Sequence, residues 1–161
     1  MADDKFLQAL GEITVEASAL EYCVAYLVTV ARGEDKSQVP TILTRVGGAR
    51  QQLLKLRDET HATRGEDDEL YKDLVNLEQR MSKALWERNR LVHAVEVLRL
   101  ADHLSQAELA LWHPKTNTDL RVSANEMNQL VRELRGIAGT TLRMTHRFDR
   151  PPKPGGQIDN S

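Results

Sequence analysis

Apolar residues recur at intervals of three and four along the N-terminal part of the chain. This spacing predicts one amphipathic helix over 4–32, because residues three and four apart share a helical face. Its buried line is Phe6, Leu10, Ile13, Ala17, Leu20, Val24, Leu27 and Ala31. Leu7, Ala25 and Val28 widen this face, which favours packing against more than one neighbour. Gly33 then provides a C-terminal stop.

A second helix is predicted to begin at Pro40, because proline is tolerated in the first turn of a helix. Its buried line is Ile42, Val46, Ala49, Leu53 and Leu56. The pair Gly47-Gly48 weakens this helix and indicates a bend or a close helix–helix approach. The polar stretch 58–68 is interpreted as a loop, with Asp67 and Asp68 placed at the start of the next helix.

The third helix is predicted to run from Asp68 to the neighbourhood of His93. The buried stripe that defines it is Leu70, Leu74, Leu77, Met81, Ala84, Leu91 and Val95. Beyond this helix the pattern around Val95 and Val97, and again over 109–112, is more typical of short β-strands. The turn residues 114–118 then favour a small hairpin.

The last helix is predicted to open with a capping box, Ser123-Ala124-Asn125-Glu126. Its buried face is Met127, Leu130, Val131, Leu134, Ile137, Ala138 and Leu142. Gly136 and Gly139 soften its middle, and it is expected to end near Arg147. The proline- and glycine-rich segment that follows cannot continue a helix.

These elements predict a mainly α fold: an up-and-down four-helix bundle with a small β-hairpin inserted before the last helix. Residues 1–150 are expected to form a single helical domain. Residues 151–161 are expected to form a disordered tail rich in proline and glycine.

Composition limits the classes of function. The chain has 161 residues and a formal charge of −2, which argues against a surface that binds nucleic acid or acidic membrane throughout. The single cysteine, Cys23, cannot form an internal disulfide, and its apolar context favours a small buried side chain. No signal peptide and no apolar stretch long enough to span a bilayer is recognised, so a cytoplasmic protein with no membrane contact is expected.

A local positive charge marks the end of the last helix and the tail. Its residues are Arg143, His146, Arg147, Arg150 and Lys153. Two interpretations remain open: a solvated charged end, or a weak attraction to RNA.

Strong polar residues interrupt the stripe of the third helix near its end. Arg88 lies four residues after Ala84 and three before Leu91, where the pattern predicts core. A guanidinium is costly to bury without partners, so Arg88 requires an acidic or carbonyl partner, or a position in a cleft or interface. Glu21 at the edge of the first helix is a candidate partner. Asn89 and His93 lie one turn apart on a neighbouring flank.

The segment Arg88-Asn89-Arg90-Leu91-Val92-His93, near the end of the third of four predicted helices, resembles the HEPN superfamily. The resemblance extends to a group of small stand-alone bacterial proteins in which a Leu-Glu pair, here Leu20-Glu21, lies in the opening helix. Such segments often have a small residue, frequently glycine, after the histidine, whereas Ala94 follows His93 here.

The resemblance implies metal-independent RNA cleavage by a homodimer in a toxin-like or defence role. It places Arg88, Asn89 and His93 in catalysis, with Glu21, Trp86 and Arg90 as supporting or substrate-binding residues. Histidine exchanges protons near neutral pH, and an arginine fork suits a phosphate that gains charge. Five residues of ideal helix separate Arg88 from His93 by about 140°, so a shared site is expected to need two copies or a local distortion.

The motif also has non-catalytic interpretations. Arg88 can be a structural arginine paired with Glu21 in a dimerisation or binding module, or in a regulatory partner of a nucleotidyltransferase that acts as antitoxin. Trp86 and Trp112 can stack on bases or pack in a core. His93, His103 and His113 lack the spacing of metal ligands on one helix, so neither a metal nor a cofactor is expected.

Overall fold

The protein is mainly helical. The computed structural model describes the backbone of residues 4–101 and 124–148, and the side chains of residues 7–93 and 125–148. Within these ranges the helices are α1 (Asp4–Ala31), α2 (Val39–Thr44), α3 (Gly48–Arg64), α4 (Glu69–Ala101) and α5 (Ala124–Phe148), with a short 3₁₀ turn (Lys36–Gln38) before α2. The described ranges contain no β-strand.

The helix α1 follows its predicted pattern closely. The described members of its predicted line are buried or half-buried, and Ala25 and Val28 join the buried set. Leu7 is instead more than half exposed, so the prediction that it widens the buried face is wrong. The stretch Leu7–Ala31 also has the length and composition of a membrane-crossing segment. The expectation that no such stretch exists is therefore wrong by length and composition, because Glu16 and Glu21 are the only charged residues over 13–31. A buried core helix passes the same test, and 44% of this window is buried in the structure.

The predicted second helix is two helices, α2 and α3. Pro40 lies in the first turn of α2, as predicted. The chain then breaks, because Gly47 and Gly48 have φ angles of 81° and 60°, which lie outside the helical region. Val46 is 95% exposed at this break, so its predicted burial is wrong.

The start of the predicted loop over 58–68 is also wrong, because α3 continues to Arg64. The segment is polar, but its polar side chains lie on a helix whose other face is apolar. Thr60 is buried there, and its hydroxyl donates to the Leu56 carbonyl at 2.8 Å. Gly65, with a φ of 86°, ends α3. Asp68 caps α4 as expected, since its carboxylate accepts the Leu70 amide at 2.9 Å.

The helix α4 is longer than predicted. It continues beyond His93 to Ala101, so the interpretation of Val95 and Val97 as β-strand residues is wrong. Two β-branched residues lower helix propensity only slightly, and no glycine or proline interrupts 69–101. The predicted hairpin, the capping residue Ser123 and the tail 151–161 lie outside the described residues.

The described helices share one buried apolar cluster, to which all five contribute side chains. The helix α1 contacts each of the other four, and α4 packs between α3 and α5. The pairs Arg80–Glu133 and Arg90–Glu126 show that α5 runs antiparallel to α4. The predicted apolar face of α5 is correct except that Leu142 is exposed, and Met144 joins the core. The glycines Gly136 and Gly139 do not interrupt α5.

Candidate functional site

Arg88 lies where the apolar stripe of α4 meets α1. The stripe residues on either side of it, Ala84 and Leu91, are both buried. Its Nη2 lies 3.9 Å from Oε1 of Glu21, and the two side chains are 30% and 40% exposed. Glu21, the candidate partner named from the sequence, is therefore an acidic partner of Arg88. The distance is longer than a hydrogen bond, so the contact is a loose ion pair.

The guanidinium of Arg88 is only partly satisfied. Its Nε is buried and has no hydrogen-bond partner within the described part of the chain. A buried donor that lacks a partner costs free energy, typically about 1–3 kcal/mol. The exposed part of the Arg88 side chain can accept an additional partner with acceptor oxygens, whereas the buried Nε can bond to such a partner only after a local rearrangement.

Asn89 and His93 lie on an exposed flank of α4. They are four residues apart on a continuous helix, so they face the same space. Trp86 lies on this flank as well, and its side chain is 63% exposed. A large exposed aromatic ring beside a polar pair is a surface on which a base or a partner protein can stack.

Arg90 precedes His93 by three residues on the continuous helix α4, so the two side chains lie on adjacent parts of one helix face. Its Nε donates to Oε2 of Glu87 at 2.8 Å, and its Nη2 lies 3.8 Å from Oε1 of Glu126 on α5. These residues line a cavity of about 430 Å³ between α4 and α5. Arg90 is thus held by acidic side chains at the α4–α5 boundary, beside the flank that carries His93.

The described backbone of α4 has no interruption between Arg88 and His93. Five residues of regular helix rotate the side-chain direction by about 140°. Within one chain the structure therefore brings Asn89 and His93 to one flank and directs Arg88 towards α1. Arg88 and His93 of the same copy do not face one phosphate.

Sequence patterns did not reveal the polar cluster that joins α3 to α4. Glu78 is buried, and its Oε1 accepts hydrogen bonds from Ser82 Oγ at 2.7 Å and from Arg50 Nη2 at 3.3 Å. Arg57 approaches its other carboxylate oxygen at 3.8 Å. The only available signal was Glu78 within the apolar stripe of α4, next to Leu77.

The remaining candidate chemistry is limited. Burial raises the pKa of the half-buried Cys23 thiol, which lowers its fraction of reactive thiolate. Within residues 4–101 and 124–148, no group of three or more histidine, cysteine, aspartate or glutamate side chains is placed to hold a metal ion. His103, His113 and Trp112 lie outside the described residues.

Comparison of the chain with protein-family models, curated proteins and solved structures found no match.

Proposed function

We propose that the protein is a metal-independent endoribonuclease that acts as a homodimer. In this proposal the fold is a HEPN-like up-and-down four-helix bundle with a small hairpin before its last helix. Its site combines Arg88 of one copy with Asn89 and His93 of the other. The setting is cytoplasmic, with a toxin-like or defence role and no cofactor.

The state of Arg88 is the observation that supports this proposal best. An arginine with a purely structural role would be expected to have close hydrogen-bonded partners for its guanidinium. Arg88 instead has one carboxylate at 3.9 Å and a buried Nε without a partner among the described residues. The exposed part of this guanidinium is thus available for a phosphate, whose oxygens match the planar fork, whereas the buried Nε is not directly accessible.

The chemistry assigned to His93 follows from the 2′-hydroxyl of RNA. His93 accepts the proton of the 2′-hydroxyl while the 2′-oxygen attacks the adjacent phosphorus and the bond to the 5′-oxygen breaks. The leaving 5′-oxygen takes a proton from water, and the protonated His93 releases its proton to solvent afterwards. Arg88 stabilises the charge on the phosphate oxygens, and Asn89 orients the imidazole or the substrate. The products are a 2′,3′-cyclic phosphate and a free 5′-hydroxyl, and DNA is not cleaved because it lacks the attacking group.

The requirement for two copies follows from the continuous helix α4. Since Arg88 and His93 of one chain diverge by about 140°, a second copy must supply the opposite member of the pair. Trp86 lies on the flank of His93 and is exposed, so it is placed to stack on a base next to the cleaved bond.

A non-catalytic dimerisation or RNA-binding module is the second candidate function. The pair between Arg88 and Glu21 favours it, because this contact links α4 to α1 and gives Arg88 a structural role. A regulatory partner of a nucleotidyltransferase, which would serve as antitoxin, belongs to the same class. In these cases His93 does not take part in chemistry.

Cleavage of RNA by the purified protein in EDTA tests the proposal. We expect wild-type protein to leave 2′,3′-cyclic phosphate ends, and His93→Ala to lose roughly 10²–10⁴-fold of the rate. His61→Ala is the matched control, because His61 is an exposed histidine on α3, outside the positive cluster at the end of α5. Equal cleavage by all three proteins would assign the activity to a contaminant. Absence of cleavage by a wild-type dimer would favour the binding module.

A further inference from the structure

A second concave site lies between α4 and α5, separate from the flank of His93. Its volume is about 200 Å³. Its polar lining, called the arginine groove below, is Asp73, Asn76, Arg80, Thr140, Arg143 and Arg147. The apolar Leu77 and Met144 are buried beside these residues and form its floor.

Positive charge exceeds negative charge in the arginine groove, because three arginines face one aspartate. Arg147 pairs with Asp73, and Arg80 pairs with Glu133 at 3.1 Å, outside the lining. Arg143 donates to the hydroxyl of Thr140 at 3.1 Å and has no carboxylate partner within the described residues. Its guanidinium therefore retains an uncompensated charge at the edge of a concave surface.

The backbone of α5 allows two guanidiniums to lie close to it. Arg80 Nη2 is 3.8 Å from the place that a Cβ would occupy at Gly136, and Arg143 Nη1 is 3.6 Å from the corresponding place at Gly139. Both distances are ordinary van der Waals contacts, so an added Cβ would also be accommodated at these two positions. The two arginines thus flank the same length of α5.

We infer that the arginine groove binds a phosphate group, either of a free phosphate compound or of RNA. Arginine forks donate several hydrogen bonds to phosphate oxygens, and the exposed Asn76 amide adds a neutral donor. The Thr140 hydroxyl donates to the Gly136 carbonyl at 3.0 Å and is not available as a donor. The pairs of Arg80 and Arg147 are partly exposed, so they contribute little stability and can rearrange around a ligand.

The arginine groove is distinct from the proposed cleavage site. Arg80, the groove residue on α4 nearest to Arg88 in sequence, precedes it by eight residues, which corresponds to about 12 Å along the helix axis. The inference uses neither His93 nor a second copy, so its outcome is independent of whether the protein cleaves RNA.

Calorimetric titration of the full chain with pyrophosphate tests the inference. We expect binding that Arg143→Gln weakens at least about fivefold, because it removes charged hydrogen bonds. Arg132→Gln is the matched control: it removes an exposed arginine from the same helix that does not line the groove. Thermal unfolding of both variants confirms that each is folded. No binding of pyrophosphate by wild-type protein, or equal loss in both variants, would overturn the inference.

A second titration with a short single-stranded RNA identifies the source of the phosphate, using His93→Ala as background to prevent cleavage. The logarithm of the RNA association constant falls linearly with the logarithm of the salt concentration. If the groove contacts the RNA backbone, Arg143→Gln makes this dependence less steep by about 0.7 per lost contact, and Arg132→Gln does not. If Arg143→Gln loses pyrophosphate binding but leaves the salt dependence of RNA binding unchanged, the groove binds free phosphate compounds and not RNA.

Discussion

Arg88 on α4 and Glu21 on α1 form an ion pair with a separation of 3.9 Å between Nη2 and Oε1. The pair connects two helices that are distant in sequence, and both side chains remain partly exposed. Its geometry is too loose for a structural salt bridge that determines the fold. The same geometry leaves Arg88 with donors that a phosphate can use.

Arg88→Ala is therefore expected to remain folded. The change removes one partly exposed ion pair, and we expect a loss of about 1 kcal/mol or less in the free energy of unfolding. Urea unfolding followed by circular dichroism measures this value, and RNA cleavage by the same variant is expected to be lost. A variant without helical signal would instead establish Arg88 as a structural residue.

Mixing two inactive variants tests whether the site is shared. In a heterodimer of Arg88→Ala and His93→Ala, one of the two sites retains both an intact Arg88 and an intact His93. A one-to-one mixture that exchanges subunits is therefore expected to recover about one quarter of wild-type cleavage, since half of the dimers are mixed. Mixing His93→Ala with itself is the control. Failure to recover activity in exchanged dimers would contradict a shared site.

Glu78 is expected to contribute more to stability than Glu21. It is buried and accepts hydrogen bonds from Ser82 and Arg50, so Glu78→Gln removes a charge that two arginines neutralise. We expect a loss of about 1–2 kcal/mol in the free energy of unfolding. Glu66→Gln, at an exposed position before α4, serves as the control in the same urea titration. A loss no larger than in this control would mean that the cluster is not stabilising.

The apolar spacing was sufficient to predict α1 and most of α5, because their stripes are long and regular. It failed at the Gly47–Gly48 break, where Ile42 and Ala49 belong to different helices but keep helical spacing. It also failed at the end of α4, because Val95 and Val97 have β-strand propensity but belong to a helix that no breaker interrupts.

Part of the candidate site was also predictable from the sequence. A charged residue in an apolar stripe identified Arg88, and Glu21 was the expected partner on α1. Arg90 and His93 lie three residues apart on α4, and the structure adds that Arg90 pairs with Glu87 and Glu126 at the α4–α5 boundary. The arginine groove was not predictable, because Arg80 and Arg143 approach each other only through the packing of α4 against α5.

Asp35 is expected to make stability depend on pH in the acid range. Its carboxylate accepts the Ser37 amide at 2.8 Å, and this hydrogen bonding lowers its pKa below the ordinary 3.8. A carboxylate with a lowered pKa in the folded state stabilises the protein fully above its unfolded-state pKa, and this contribution is lost as the pH falls through the folded-state pKa. Asp35→Ala is thus expected to be less stable than wild-type protein at pH 6, and the difference is expected to shrink below pH 3.8. Thermal unfolding of wild-type protein and Asp35→Ala across this pH range measures the difference, with Asp67→Ala as control. A difference that does not change with pH would contradict the lowered pKa of Asp35.

Alanine substitution at Gly11 and Gly47 is expected to change stability in opposite directions. Gly11 lies inside α1 with nothing within 4 Å of an added Cβ, so Gly11→Ala is expected to raise the free energy of unfolding by about 0.5–1 kcal/mol. Gly47 has a φ of 81°, and an added Cβ would lie 2.6 Å from Gln51 Cβ. Gly47→Ala is therefore expected to lower the free energy of unfolding by at least about 1–2 kcal/mol. Urea unfolding of both variants at several protein concentrations measures the two effects. Gly11→Ala would contradict the prediction if it lowered the free energy of unfolding. A decrease that grows with protein concentration would show that a second copy packs against this exposed face of α1.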